Sequence, residues 1–222
     1  MPLNIAIDGP VGAGKSTIAS AVAKALGILH LDTGAMYRAI GLTALKQGID
    51  LQNEQAVTAL CGRIDLKVRY GENGQITTVD GEDVTGLLRT EEVSMAASTV
   101  SRYAGVRKAM VSIQQKLAEE TDMLMDGRDI GTVVLPGATA KIYLTATAEE
   151  RAMRRYRELQ QKGMPDTYEQ VLEDLKRRDD QDMNRAVDPL RRAEDAVNLD
   201  TTHMSFDEVV DAILNIVKEA RA

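Results

Sequence analysis

Near the amino terminus, Gly9-Pro10-Val11-Gly12-Ala13-Gly14-Lys15-Ser16-Thr17 satisfies the pattern G-x-x-x-x-G-K-[ST] at each fixed position. Such a loop holds phosphate. Its glycines let backbone N–H groups converge on an anion, and the helix that follows adds the partial positive charge of its first turn. Lys15 is expected to reach the outer phosphates of a nucleoside triphosphate, and the Ser16 hydroxyl to hold Mg2+. A second group for the same ion, a carboxylate acting through water, is expected at Asp126, which closes the apolar run Met123-Leu124-Met125. Gly127-Arg128-Asp129-Ile130-Gly131 leaves that same strand end. Arg151, Arg154, Arg155 and Arg157 crowd into two turns. Arginine's planar fork suits phosphate oxygens, although a solvated charged face is the ordinary meaning of such a run. Arg178, Asp182 and Arg185 are spaced i, i+4, i+7 and should share one helix face; a salt-bridge ladder would have the same spacing. Thr33, Tyr37 and Arg38 place a hydroxyl, a phenol and a guanidinium within two turns, which a plain capped helix would do as well.

These groups need a frame. Apolar runs near 3–8, 28–32, 122–126, 141–145 and 196–200 alternate with helical patterns. That alternation predicts an α/β fold of the P-loop NTPase kind, with a five-stranded parallel sheet covered by helices on both faces. Ligands then bind at the carboxyl ends of the strands. Helices are expected from Ser16 to Leu26, from Ala35 to Gln47 and over 53–64. Another carries Val106, Met110, Ile113 and Leu117 as a buried stripe, with Arg107 beside it and able to reach a cleft. Ser205-Phe206-Asp207-Glu208 reads as a capping box opening a last helix with Val209, Ile213 and Ile216 on its apolar face. Between 63 and 88 the period changes to two. Leu66, Val68 and Tyr70, then Ile76, Thr78 and Asp80, alternate around the turn signals Asn73-Gly74 and Asp80-Gly81. This segment is expected as an antiparallel insertion within one domain spanning 1–222. Gly163-Met164-Pro165 breaks a charged helical stretch, and 151–168 is read as a lid that excludes water during transfer.

Composition narrows the partners. Aromatic content is 3%, with no Trp and one Phe, so the core must come from aliphatic residues and Met, and base stacking on single-stranded nucleic acid is disfavoured. The net charge is −7 and the pI about 5.0, which argues against general binding to nucleic acid or anionic membranes. One cysteine, Cys61, rules out an intrachain disulfide. His30 and His203 stand apart from each other and from Cys61, so neither a zinc site nor a triad is expected. No signal peptide and no bilayer-length apolar run is seen, and a cytoplasmic monomer acting on small-molecule nucleotides is the expectation.

The segments IDGPVGAGKST, LDTGAMYR, RTEEVSMAAS, VRKAM, DGRDIGTVV and RRDDQDMNRAVDPL closely resemble those of the bacterial cytidylate kinases, and the likeness runs from Ile5 to the last helix. Thr33 stands where many relatives would have serine, which keeps the hydroxyl. The resemblance implies the reaction ATP + CMP → ADP + CDP, with dCMP also accepted. It implies that Arg38 and Arg128 hold the acceptor's phosphate. Thr33, Tyr37, Ser98, Arg107 and Asp129 would line the acceptor pocket, the last three nearest the cytosine. Arg178, Asp182 and Arg185 would contact sugar and phosphates, and Arg154 would come from the lid to join Lys15, Arg128 and Asp126 in catalysis. Two other readings stay open: another small-molecule P-loop kinase, or a regulatory NTPase. The second would carry a guanine-reading N-K-x-D motif, which is not found.

Overall fold

The structure is a computed structural model and describes residues 2–71 and 74–221. Five strands form one parallel sheet: β1 (Asn4–Asp8), β2 (Leu29–Asp32), β6 (Met123–Gly127), β7 (Ala140–Thr145) and β8 (Val197–Asp200), in the order β2-β6-β1-β7-β8. β1 therefore lies in the centre, and its apolar run is buried on both faces. The period of two sorts its residues: Ile5 and Ile7 face one core while Ala6 faces the other. The first core includes Leu124, Ile142 and Leu144, and is covered by α1 (Lys15–Leu26) and α8 (Phe206–Ala220) through Ile18, Val22, Val209, Ile213 and Val217. The second includes Leu31 and Met125, and is covered by α2 (Thr33–Lys46), α3 (Glu54–Cys61) and α5 (Ala104–Glu120) through Met36, Ile40, Val57, Leu60, Val106 and Met110. The expected parallel sheet with helices on both faces is what forms.

Three differences from expectation have physical causes. The deepest stripe of α5 is Val106, Met110, Gln114 and Ala118, while Ile113 and Leu117 are only partly buried. A polar Gln is tolerated there because its amide meets the Met36 sulfur at 3.7 Å. On α8, Val217 rather than Ile216 completes the buried line with Val209 and Ile213. Helix α3 stops at Cys61, short of 64, because Gly62 caps it.

The period-two segment forms a second, three-stranded antiparallel sheet, β3 (Leu66–Gly71), β4 (Gly74–Val79) and β5 (Glu82–Asp83). Asp80 and Gly81, both at positive φ, make its second turn. Asn73 of the expected first turn lies outside the described residues. Gln75 fastens this sheet to the end of β2, accepting from the Asp32 amide at 2.8 Å. Next along the chain, α4 (Glu91–Val100) packs across α2. Two further helices, α6 (Ala148–Gln161) and α7 (Tyr168–Asn184), pack on each other around a small core of Ala152, Leu159, Val171 and Leu175. Gly163 at φ 70 separates them, and a Thr167–Gln170 capping box starts α7. No helix among the described residues is long and apolar enough to cross a membrane.

Candidate active site

The glycine-rich loop joins β1 to α1. Gly9 is required by close packing: a Cβ there would lie 2.0 Å from the Leu144 carbonyl oxygen of β7. Gly14 caps α1 in the left-handed conformation, which turns the chain so that the first-turn amides face the loop. Val11 is held from outside. Its amide donates to Asp179 Oδ1 at 3.1 Å, and its carbonyl accepts from Arg151 Nη1 at 2.8 Å. Lys15 is buried, and its ammonium donates to the Pro10 carbonyl at 2.7 Å. Burial, with the Arg128 charge adding to it, lowers the Lys15 pKa to about 7 against the opposing pull of Asp126, Asp182 and Asp8. Ser16 is half-buried and Thr17 exposed in the first turn of α1.

Strand register brings the acidic residues to one edge. Asp32 of β2 stands opposite Asp126 of β6, and Asp8 of β1 opposite Gly127. Asp8 turns its carboxylate onto the loop leaving β6, accepting from the Ile130 and Gly131 amides, each at 2.7 Å. Burial raises its pKa to about 6 in spite of both bonds. Asp126 is buried, with Oδ1 held by His30 Nε2 at 2.6 Å, and the Thr33 hydroxyl donates to the Asp126 carbonyl at 2.7 Å. Hard oxygen donors such as the Ser16 hydroxyl and the Asp126 carboxylate are the chemistry Mg2+ takes. Among the described residues no group of three or more His, Cys, Asp or Glu could hold a metal unaided. That donor set fits an ion bound largely through nucleotide phosphates and water.

Two linked charge clusters lie beside this edge. In the first, Arg128 donates through Nε to Asp182 Oδ2 at 2.7 Å. Burial opposes the Asp182 charge, but Arg128 first, with Arg185 and Lys15, outweighs it and holds the carboxyl below its usual range. Arg178 sits among like charges: burial first, then Arg128, Arg155 and Arg38, lowers its pKa. Arg38 gives Nη2 to Asp32 Oδ2 at 2.6 Å, leaving Nε buried without a partner among the described residues. In the second cluster, Arg107 is 2% exposed. Its Nη2 donates to Asp129 Oδ2, its Nε to Asp188 Oδ2 at 2.7 Å and its Nη1 to the Ser101 carbonyl at 3.2 Å. Its guanidinium carbon lies 5.6 Å from the Tyr37 ring centroid. Arg185 donates to the Asp188 carbonyl through Nε at 2.6 Å, and its Nη2 lies 3.4 Å from Asp129 Oδ1.

The residues singled out in the sequence are thus mostly gathered at one edge, with corrections. Arg185 does not share a helix face with Arg178 and Asp182. The helix ends at Asn184 and Arg185 is extended, yet it still reaches the second cluster from the chain beyond. Arg151 is a buried brace paired with Asp179 at 2.7 Å, because a charge inside needs a partner, so it cannot belong to a solvated phosphate-facing row. Arg154 is held by Glu150 at 2.9 Å and by the Thr201 carbonyl at 2.7 Å, at the end of β8; it is Arg155 whose charge is felt at Arg178. Ser98 is half-buried and meets Gln181 of α7 at 3.3 Å, while Ser101 is the α4-end residue touching Arg107. Asp8, His30, Asp179 and Asp188 were not singled out. Asp8 lies at the end of a short strand, in the segment IDGPVGAGKST, and His30 within one, weighed only against a zinc site or a triad. Asp188-Pro189 reads in the sequence only as the end of the charged helical region.

The family model described as cytidylate kinase matches residues 5–219. A cytidylate kinase of Bacillus velezensis is 51% identical over 217 residues, covering 98% of this chain and 97% of the relative. One of Caldicellulosiruptor bescii is 50% identical over 214 residues, covering 96% and 95%. Among solved structures, an uncharacterized protein from Eubacterium ventriosum aligns with a TM-score of 0.53 at 11% identity over 97% of this chain and 98% of that one, a likeness of fold alone. With a phosphate-cradling loop at the centre of the sheet, guanidinium clusters at its edge and half of all positions shared with such relatives over nearly their whole length, the chain belongs to the cytidylate kinase family of phosphotransferases.

Proposed function

We propose that the chain transfers the γ-phosphoryl group of ATP to CMP, and to dCMP, by direct in-line attack of the acceptor's phosphate. The observation that carries this reading is the adjacency of two clusters: Lys15, Arg128 and Arg178 beside the glycine loop with Arg38 paired to Asp32 at the end of β2, and Arg107 with Asp129 next to them. Transfer between two anions needs neutralisation and alignment more than a strong base. Gly12, Ala13, Gly14, Lys15, Ser16 and Thr17 would cradle the ATP phosphates, with Gly9, Pro10 and Val11 shaping the loop. Arg38, whose buried Nε awaits an acceptor, and Arg128 would seat the acceptor's phosphate. Each such charge-assisted hydrogen bond is worth about 1.5–3 kcal/mol. Arg178 and Asp182 would meet sugar and phosphate oxygens. Mg2+, held by Ser16 and through water by Asp126, would supply further charge neutralisation.

The second cluster would read the base. A carboxylate such as Asp129 accepts from cytosine's exocyclic amine, and uracil presents a carbonyl at that place. A site built around such a bond can discriminate by roughly 10⁴. Thr33, Tyr37, Ser98 and Arg185 complete this pocket in the proposal. The helix pair α6–α7 would act as its lid, bringing Arg154 or Arg155 toward the transferred group. A coupled ADP-release assay with CMP, dCMP, UMP, AMP and shikimate tests the reading, with CMP and dCMP expected to be preferred. A strong preference for UMP, AMP or shikimate would overturn it, as would equal ATP turnover with no acceptor.

A further inference from the structure

We propose that Asp188 is the positioning residue of the acceptor pocket: its carboxylate fixes Arg107 and its carbonyl fixes Arg185, so that Asp129, between the two arginines, is held in the orientation that reads the base. The inference rests on the acceptor reading above and adds the residue that sets the pocket's geometry.

The backbone gives the first indication. Asp188 has φ 48, in the left-handed region, one of two non-glycine residues with positive φ among those described. Aspartate visits this region more readily than most residues, but it is uncommon, and a following proline narrows the choices further. Such a conformation persists where surrounding bonds over-determine it. Here the bonds are visible. The conformation turns the Asp188 carbonyl onto the Arg185 guanidinium and its carboxylate onto Arg107 Nε.

Charge arithmetic gives the second. Arg107 is buried and uses all three edges of its fork, toward Asp188, Asp129 and the Ser101 carbonyl. Asp129 also faces Arg185. Two guanidinium groups are therefore balanced by two carboxylates. Without the Asp188 carboxylate, the Nε edge of Arg107 loses its acceptor and Asp129 is left as the carboxylate facing both buried cations. Its carboxylate would then be drawn between them and away from a fixed orientation. Asp188 also lies beyond the end of α7, so the chain that follows the helix pair itself completes the base pocket.

Two variants separate carboxylate from backbone. Asp188→Gly keeps the left-handed turn and removes the carboxylate. Asp188→Asn tolerates the turn and keeps an oxygen for Arg107 Nε. In steady-state assays, Asp188→Gly should raise the CMP KM and lower the CMP-over-UMP preference, each by about tenfold or more, while kcat falls less than about threefold and the ATP KM is unchanged. Asp188→Asn should recover most of both losses. A wild-type KM and preference in Asp188→Gly would overturn the proposal. So would parallel losses of kcat, KM and melting temperature that Asn does not restore, since those mark a merely structural bond. The ¹⁵N signal of the Arg107 Nε–H supplies a readout that needs no acceptor: slow to exchange in the wild type, fast in Asp188→Gly and slow again in Asp188→Asn. If the wild type prefers another acceptor, the functional reading fails, and this signal alone decides whether Asp188 holds Arg107. Should Asp188→Gly fail to fold, Asp188→Ala takes its place: a fast-exchanging Arg107 signal with a weakened CMP preference would support the assignment, and an unchanged signal or an unchanged preference would overturn it.

Discussion

Lys15 is buried, and its pKa of about 7 lies far below the usual lysine value. Between pH 7 and 10.5 the folded chain therefore binds fewer protons at this group than the unfolded chain does, so its contribution to stability rises with pH across that window. Triphosphate charge acts in the opposite direction and restores the ammonium. ATP binding at pH 8 should thus take up protons, seen as a dependence of calorimetric binding heats on buffer ionisation enthalpy; the uptake through Lys15 should fall away toward pH 6, where its ammonium is already largely charged. Buffer-independent heats at pH 8 would contradict this. Arg128→Ala should lower kcat/KM by at least about tenfold, since about 1.4 kcal/mol lost from the transition state gives that factor. Asp129→Ala should erase the CMP-over-UMP preference while ATP affinity stays near normal, and an intact preference would remove Asp129 from base reading. At this scale the sequence was informative about residue types and weak about partners. Lys15, Ser16 and Arg128 sit in motifs whose spacing implies their place. Asp188 pairs with Arg107 across 81 positions, a distance no local pattern encodes.

Elements carry the next level of control, because loops here are fixed by what packs behind them. The glycine loop is bounded by β7 through Gly9 and by α6 and α7 through Arg151 and Asp179. Arg151→Ala would leave Asp179 buried without its cation, and breaking a buried pair from one side costs about 3–5 kcal/mol. The expected result is a lower melting temperature together with a raised ATP KM, since Val11 loses one of its two outside holds. A variant with the wild-type melting temperature and ATP KM would show that the brace is dispensable. The strands and most helices could be read from apolar periodicity, because short aliphatic runs and 3.6-residue stripes follow directly from burial. Arg151 could not: a row of arginines has the same spacing whether it faces solvent, a phosphate or a buried aspartate. Arg185 was misplaced for a related reason, since i, i+7 spacing implies a shared face only while the helix continues.

Across the whole molecule, the strand order β2-β6-β1-β7-β8 could not be read from strand periodicity, which identifies buried runs but not their neighbours. Its consequence is a strong difference in local stability. The sheet lies between two extensive apolar cores, whereas α6 and α7 share a small apolar core of four buried residues, Ala152, Leu159, Val171 and Leu175. Regions with few buried apolar contacts open with less free energy than the core. The same pair holds Val11, supplies Arg155, Arg178 and Asp182, and leads into Arg185 and Asp188, so its position relative to the sheet decides whether both clusters are complete. Amide hydrogen exchange of the free protein should be faster along Ala148–Asn184 than along β1, β6 and β7. ATP and CMP added together should slow it by more than the product of their separate effects, because each bridges the helix pair to a different part of the sheet edge. Exchange in α6 and α7 as slow as in the central strands, or protection by the two nucleotides that is merely multiplicative, would mean that the pair is a fixed wall and not a closing lid.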